Sequence, residues 1–505
     1  MECLSIIFLT SFFLLILKYI LPFLIQYIQL RQDYRDISFL PLSSFPLVGN
    51  LHQIDSRGYV FFQLLCQMSK ECQIKRKGIF CLWYAIWPIT FVCAAKGLET
   101  FISNSKQLVK SFDYKLFEPW LKTGLLTSNN DKWRTRRRLI TPSFHDTELL
   151  RSFIHIFNEQ AIILTHRLEK LAQQSNKTHD LYPYISACTL DIIAETATGT
   201  HLKAQFGDEN NTVVQATTRI GEIINCRMRF PWLWPAFIFN QLPIGREHNR
   251  LLKILHNCSR QVIEERLVAF NADEMNCKRR LVFLDSLLIQ MHAQKLSLDD
   301  IQEEVDTFMF EGHDTTAAAL NFFCYLMGCY PDIQGKVQAE LDAIFADDRE
   351  RPCTLEDIEQ MTYLDCVIKE SMRILPPVPS IAREAQIDFT YRDQLVRKGT
   401  TVFIFIYGIH HDQDVFPNPD KFDPERFADK SLIKNEHSPY AYIPFSAGSR
   451  NCIGQRFAGL EERVVLSTLF RQFSFRSTQN IAQLHLSIDA ILRPQVPIQM
   501  FIERR

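Results

Sequence analysis

Apolar residues recur at three- and four-residue spacing over residues 148–172, 184–199, 247–270, 297–330 and 355–374, the mark of helices that turn one face to a core. Strict alternation is confined to short runs: Ile79 to Val92, Thr401 to Ile406, and the last twenty residues, where it is closed by Pro494 and Pro497. No period of about 20 to 50 residues repeats, which excludes a solenoid or propeller. The pattern predicts a mainly α fold with a minor β-sheet region, in one large domain over residues 51–505.

Ahead of that domain the pattern changes. From Leu4 to Ile25 the only charge is Lys18, and these 22 residues span roughly 33 Å at ~1.5 Å each, enough for a hydrocarbon layer of about 30 Å. Residues 1–30 are therefore expected to hold an N-terminal membrane anchor. A cleaved signal peptide fits less well, because the chain begins Met-Glu and has no Ala before Ala85 and no Gly before Gly49. Lys18 and Pro22 leave a half-inserted interfacial helix as the alternative. Arg31 and Arg35 follow the apolar run while Glu2 precedes it, so the body is expected to face the cytoplasm, where the sequons at Asn176, Asn210 and Asn257 would stay unglycosylated. Residues 31–50 read as a linker; the stretch 36–50 (DISFLPLSSFPLVGN) holds two Pro and the first Gly.

Composition narrows the class. The 505 residues carry 56 basic and 57 acidic side chains, a net charge of -1 that excludes a basic nucleic-acid-binding surface. With 47% hydrophobic residues the chain is not disordered, and 39 Phe against 17 Gly imply a core rich in aromatic volume. The 14 Cys contain no C-x2-C pair, so neither a zinc site nor a disulfide framework is expected, and most should be reduced, buried thiols.

One cysteine stands apart. Cys452 lies in FSAGSRNCIG (445–454), a Gly-bearing loop flanked by Arg450, with a helical run from Gln455 to Phe470 directly after it. Arg450, the N–H groups of the turn and the positive helix end would each favour a thiolate, the form that ligates metal. The pattern F-x-x-G-x-R-x-C-x-G, with Phe445, Arg450 and Cys452, resembles the cytochrome P450 superfamily, whose haem iron carries a proximal Cys thiolate. The resemblance implies the cytochrome P450 fold, haem b (iron protoporphyrin IX) as cofactor, and Cys452 as the metal ligand.

Three further motifs match. Glu370 and Arg373 form E-x-x-R ahead of the Pro376-Pro377-Val-Pro379 break, and Arg426 in FDPERF completes a Glu-Arg-Arg network whose implied role is structural. Trp133 and Arg137 lie in the basic run KWRTRRR, otherwise readable as a solvated helix face. The resemblance makes them haem-propionate partners together with Arg383 and Arg450, while Lys132, Arg136 and Arg138 would face outward and dock an acidic redox partner. Within FMFEGHDTTAAAL (308–320), Glu311, Asp314 and Thr315 share a helix face. A locally hydrogen-bonded polar patch is the plain reading; the resemblance makes Asp314 and Thr315 catalytic, a relay carrying protons to iron-bound oxygen, with the alanines leaving room for substrate.

EGHDTT, TLDIIAETATG (189–199), KESMRILPPVP (369–379) and PFSAGSRNCIG together are most similar to family 4, the fatty-acid omega-hydroxylase branch. Two segments depart from it: the hinge is reduced to LPLSSFP, and residues 195–205 read ETATGTHLKAQ. The resemblance implies a monooxygenase on the endoplasmic reticulum membrane, inserting one oxygen of O2 into a small hydrophobic substrate, a fatty acid or related lipid or a xenobiotic. NADPH would supply electrons through NADPH-cytochrome P450 reductase, with cytochrome b5 as a second donor, and no oligomer is required. A haem-thiolate isomerase or dehydratase acting on lipid peroxides, or a non-catalytic haem-binding protein, are the alternatives; neither needs the acid-alcohol pair. The same family implies that Glu311, a buried carboxylate with no evident cation nearby, can be esterified to a haem methyl group. Residues 229–240 (RFPWLWPAFIFN) are too irregular for a spanning helix and are expected to touch the bilayer through Trp232 and Trp234, a core loop being the competing reading.

Overall fold

The computed structural model describes residues 14, 16–38, 40, 47–102, 108–174, 176–207, 211–273, 282–346, 348–428 and 439–505. Most of the chain is helical, and seven helices build or brace the site: α1 (Leu21–Asp33), α2 (Asn130–His145), α3 (Tyr182–Ile193), α4 (Thr212–Arg229), α5 (Leu298–Cys329), α6 (Thr362–Ile374) and α7 (Gln455–Gln472). The longest apolar stripe of the sequence becomes the axis, α5. Ser297 starts it with a capping box: its hydroxyl accepts from the Asp300 N–H at 3.1 Å, and the Asp300 carboxylate accepts from the Ser297 N–H at 2.9 Å. Every residue of α5 is buried from Ile301 to Phe310 and from Thr316 to Gly328, so the helix runs through the core, with Glu311, Asp314 and Thr315 between the two stretches. Gly312 lets α3 close on it, since a Cβ there would lie 2.5 Å from Ile193 Cγ1.

The other periodic stretches fold as expected, with two informative breaks. Residues 148–172 become Thr147–Ala172, and 247–270 lie within Pro243–Asp273. The run 184–199 is α3 followed by a wider π turn, Ala194–Thr198, ended by Gly199 at φ 70°. The run 355–374 is two helices, Leu355–Gln360 and α6. Glu340 on a neighbouring helix accepts from the N–H groups of Tyr363 at 2.6 Å and Leu364 at 2.9 Å, which starts α6 afresh.

Strands are short: β1 (Ile79–Tyr84), β2 (Trp87–Val92), β3 (Ile381–Glu384), β4 (Phe389–Tyr391), β5 (Gln394–Val396), β6 (Thr401–Ile404), β7 (Phe473–Ser477), β8 (Leu486–Asp489), β9 (Ile491–Pro494) and β10 (Met500–Arg504). The main sheet has the order β1-β2-β6-β3, with β2 and β6 parallel from Ile89 opposite Thr401 and the other pairs antiparallel. The alternating run from Ile79 to Val92 is thus a hairpin. The rest form pairs, β4 with β5, β7 with β10 and β8 with β9.

Among the described residues no helix is long and apolar enough to cross a membrane. Residues 1–13 and 15 of the stretch read as an anchor lie outside the described residues, as do Asn210 and residues 41–46 of the hinge. The described part differs from the linker expectation. α1 runs on to Asp33, and Tyr27 and Tyr34 are buried edge-on against Trp83, with ring centroids 5.9 and 6.1 Å away. The Tyr34 hydroxyl meets Thr400 Oγ1 at 2.6 Å, and Asp33 pairs with Arg397 at 2.9 Å. Residues 31–37 are therefore docked chain, because the hairpin presents an aromatic face that buried tyrosines can cover.

Glu370 and Arg373 on α6 are fully buried and paired twice, Nε to Oε2 at 2.7 Å and Nη2 to Oε1 at 2.9 Å. Arg426 approaches Glu370 at 3.4 Å, and the Asp423 N–H donates to it at 2.8 Å. Arg373 also donates to the His410 carbonyl at 2.9 Å, and His410 Nε2 accepts from the Ile443 N–H at 2.9 Å, so the pair reaches the loop that carries Cys452. Removing one partner of such a pair typically costs about 3–5 kcal/mol, since the other charge stays buried.

This link sets a pH dependence. Burial, the adjacent imidazole of His411 and the Arg373 guanidinium hold His410 well below the ordinary imidazole range, and burial with Arg373 brings His411 to about 4. An unfolded histidine titrates near about 6.5. Both states are therefore neutral above that value and stability is full; as the pH falls from about 6.5 toward 4 the unfolded chain takes up protons that the fold refuses, and stability is lost. The urea midpoint is expected to be flat at neutral pH and to fall below about 6.5, with a shallower fall in a His410→Gln variant. Equal slopes in both proteins would exclude this role for His410.

Candidate active site

A cavity of about 350 Å³ lies where α5, α7, the loop before α7 and the main sheet converge, walled mostly by apolar side chains such as Phe91, Phe308, Phe310, Ala319 and Phe403. The loop is a turn held by its own backbone: Ser446 N–H to Ile443 O at 2.9 Å, Asn451 N–H to Gly448 O at 3.1 Å, and Cys452 N–H to the carbonyl of Phe445 at 2.9 Å. Gly448 sits at φ 74°, a left-handed conformation that a side chain would strain. Phe445 and Cys452 both line the cavity, and the Cys452 sulfur faces its void rather than packed protein. The other described cysteines are buried or half-buried free thiols, as expected.

The expected thiolate needs a correction. Burial, and next the Glu311 carboxylate, push the Cys452 thiol up to about 11, against the opposing pull of the Gly454 N–H and Arg137. Arg450 is occupied elsewhere: it donates to Ser128 O at 2.5 Å and Asn129 Oδ1 at 3.2 Å, and stacks 4.4 Å over the Trp133 ring. In the polypeptide burial favours the thiol, and a bound metal ion supplies charge that favours the thiolate.

The cations Lys110, Arg137, Arg383 and Arg450 line the same cavity as the sulfur. Arg137 donates to the carbonyl and the side-chain oxygen of Asn451, both at 2.9 Å, and Arg383 to the carbonyl of Ala382 at 2.8 Å. Nε and Nη1 of Arg450 are buried without a hydrogen-bond partner. Burial and then the neighbouring guanidiniums bring Arg450 down to about 9 and Lys110 well below its ordinary value. The acids that line the cavity with them are Asp113, Glu311 and Glu462, and burial raises each. Asp113 is bonded to Ser111, and burial raises its carboxyl; burial raises Glu311 to about 7 although Lys110 and Arg137 pull it down. Glu311 thus has cations nearby, contrary to expectation; Lys110, in the irregular stretch before Phe112, belongs to no motif and escaped sequence reasoning.

On α5 the expected trio separates. Glu311 and Thr315 line the cavity, and the Thr315 hydroxyl donates to the Glu311 carbonyl at 2.7 Å, leaving its lone pairs as an acceptor. Asp314 is turned away: its carboxylate is bound by Arg493 and by the Tyr182 hydroxyl at 2.7 Å, and Arg493 donates to that hydroxyl at 2.6 Å. The only sequence sign of this clamp is one Arg inside the apolar run ILRP. The basic run on α2 also divides. Arg136 is buried and pairs with Asp300, Glu303 and Glu304, so it does not face outward; Lys132 is half-exposed and pairs with Glu303, and Arg134 and Arg138 are exposed. Glu370, Arg373 and Arg426 stand outside the cavity wall, bracing the loop.

The family model of cytochrome P450 matches residues 40–502. The chain belongs to the cytochrome P450 family. It is 42% identical to cytochrome P450 4V2 of Mus musculus over 502 residues, 97% of this chain and 94% of the relative. Cytochrome P450 4c3 of Drosophila melanogaster is 37% identical over 480 residues (92% and 88%), and cytochrome P450 4c21 of Blattella germanica 39% over 447 (86% and 88%). The relatives belong to family 4, and the chain is a haem monooxygenase that draws NADPH-derived electrons through a reductase.

The residues of this P450 fit haem. Cys452 offers one soft ligand facing the void, and the unpaired N–H groups of Arg450 with Lys110, Arg137 and Arg383 offer the positive charge that two propionates require. Trp133 lends the ring on which Arg450 stacks. Bound there, haem supplies the activation of O2. The cation cluster predicts that the haem-free P450 binds metal-free protoporphyrin IX at least about tenfold more tightly than its dimethyl ester, since charged hydrogen bonds contribute about 1.5–3 kcal/mol each. Arg450→Met should shrink that ratio. Fluorescence titration measures both, and equal affinities in the wild type would rule out the charge argument.

Proposed function

We propose that this P450 hydroxylates the terminal carbon of a fatty acid or a related lipid: RH, O2, two electrons and two protons give ROH and water. The observation that carries the reading is that Cys452, Glu311 and Thr315 line one cavity whose remaining wall is mainly apolar. An apolar wall suits a hydrocarbon chain, and if it holds the chain end-on, position decides the product where C–H strength would favour inner carbons. Thr315, with its proton given to the Glu311 carbonyl, accepts a hydrogen bond on its cavity side. Asp314 acts behind it as a fixed acid, its charge shared with Arg493 and Tyr182.

Glu311 is the residue proposed to carry an ester link to a haem methyl group. Joining the two removes one hydrogen from each, so the link needs the oxidising equivalents of turnover and not mere mixing. It would also remove a buried carboxyl from a site that raises its pKa to about 7. The decisive experiment is turnover of dodecanoic acid with NADPH and a reductase, with the reduced carbon monoxide complex showing the red-shifted Soret band of thiolate ligation. Terminal hydroxylation and acid-stable haem attachment are expected, with both lost or diminished in Glu311→Ala and the band lost in Cys452→His. Freely extractable haem after turnover would exclude the link; an absence of any product would exclude the lipid reading.

The enzyme is proposed to work on the endoplasmic reticulum membrane, facing the cytoplasm, with cytochrome b5 as an additional donor and the exposed Arg134 and Arg138 facing acidic partners. Trp232 is 56% exposed and Phe237 75%, supporting a second bilayer contact beside the N-terminal segment. Trp234, by contrast, packs on Phe112 and Trp87 at 4.5 and 5.5 Å and donates to Met228 O, so it belongs to the body. A chain beginning at residue 26, which keeps the docked tyrosines, should still float with liposomes. Trp232→Ser with Phe237→Ser should release it, and Trp234→Ser should lower thermal stability instead. Failure of the shortened protein to bind liposomes would overturn the loop contact.

A further inference from the structure

Arg229 ends α4 and is 7% exposed, yet its Nε and Nη1 have no hydrogen-bond partner; only Nη2 is used, donating to Ser56 O at 3.2 Å. It forms no ion pair among the described residues. Two carboxylates lie near enough to feel its charge, and both are committed. Asp489 accepts from Asn225 at 2.7 Å, Ser487 at 3.1 Å and Gln495 at 2.8 Å, and Asp55 is held by Arg57 at 2.8 Å. A guanidinium with two idle donors in a buried place requires an acceptor from outside the chain.

The cavity supplies the place. Arg229, Asn225, Met228 and Tyr84 line the same space as Cys452 and Glu311. Arg229 sits among Ser56, Gly58, Tyr84 and Ser487, whereas Cys452 feels Glu311, Gly454 and Arg137, so these neighbours are not shared. The same cavity wall carries Phe61, Leu65, Ile89, Phe91 and Phe403. A charged fork and a separate metal ligand on one mainly apolar cavity suit a substrate with one anionic head and an apolar body.

We propose that Arg229 binds the carboxylate of the substrate, assisted by the Tyr84 hydroxyl, and thereby sets which carbon reaches the Cys452 end. The proposal rests on the lipid reading above and goes beyond it by naming the group that recognises the head. A carboxylate accepts two parallel N–H bonds from a guanidinium edge, which an ester or an alcohol cannot match in charge. Because Arg229 is followed directly by the aromatic loop from Phe230, the head would stay at the mouth while the chain enters ahead of it.

The test compares dodecanoic acid, methyl dodecanoate and dodecan-1-ol on the full-length holoenzyme by calorimetric titration, with product position read by mass spectrometry. The wild type should bind the acid at least about tenfold more tightly than the ester. Arg229→Gln should bring that ratio close to one while leaving the ester's affinity unchanged and spreading product inward from the terminal carbon. Arg229→Lys should restore part of the ratio. Should Arg229→Gln fail to fold, Tyr84→Phe carries the test, with a fall in the ratio of about threefold expected and an unchanged ratio counting against the proposal. A wild-type ratio near one with terminal product still formed would overturn the anchor alone. Neither acid nor ester binding to the wild type would overturn the lipid reading, and the anchor with it.

Discussion

Positive charge enclosed among acids that burial pushes toward their neutral form is the constraint on which the active site depends. Lys110, Arg137, Arg383 and Arg450 line one cavity, and the acids that line it with them are a raised Glu311, a raised Glu462 and a bonded Asp113. Such an arrangement is unfavourable in the polypeptide alone and becomes favourable when an anionic group joins it, so binding free energy and folding free energy are shared. The thiol obeys the same logic. Burial raises the Cys452 thiol, and a metal cation that binds there replaces its proton.

Elsewhere the chain treats buried charge in the opposite way. Glu370 is saturated by Arg373, the Asp423 N–H and the nearby Arg426, and Arg136 is surrounded by Asp300, Glu303 and Glu304. In these clusters each cation has a carboxylate within 4 Å, and they brace the elements that carry the cavity's cations. Through His410 and Ile443 the Glu370 pair reaches the cysteine loop, and through the start of α5 the acids around Arg136 fix α2, on which Trp133 and Arg137 stand. Saturated charge gives rigidity; unsaturated charge gives binding.

Much of this was legible from residue order. Periodicity located α5 and the long helices, alternation located the sheet, and the loop FSAGSRNCIG located the ligand, because each depends on near neighbours in sequence. What escaped depends on partners remote in sequence. The spacing of Glu311, Asp314 and Thr315 placed them on adjoining helix positions but could not show that Arg493, 179 residues later, draws Asp314 aside. Five basic residues in KWRTRRR looked alike until Glu303 and Glu304 claimed Arg136. Trp232 and Trp234 are two residues apart, and only Phe112 and Trp87 decide that the second turns inward.

The last hairpin shows why those remote partners matter to one another. In β8 and β9 Ser487 stands directly opposite Arg493, and Asp489 opposite Ile491, so these side chains share a face. That face meets α4 through Asp489 and Asn225 and meets α5 through Arg493 and Asp314. Gly221 permits the close approach, since a Cβ there would lie 2.9 Å from the Asp489 carbonyl. Asp489 accepts from Asn225, Ser487 and Gln495 and forms no ion pair with Arg229 among the described residues; by donating to Asp314, Arg493 fixes the acid behind Thr315. One two-stranded element therefore adjoins both Arg229 and the α5 acid, and a shift that loosened it would alter the recognition of a head group and the setting of that acid together.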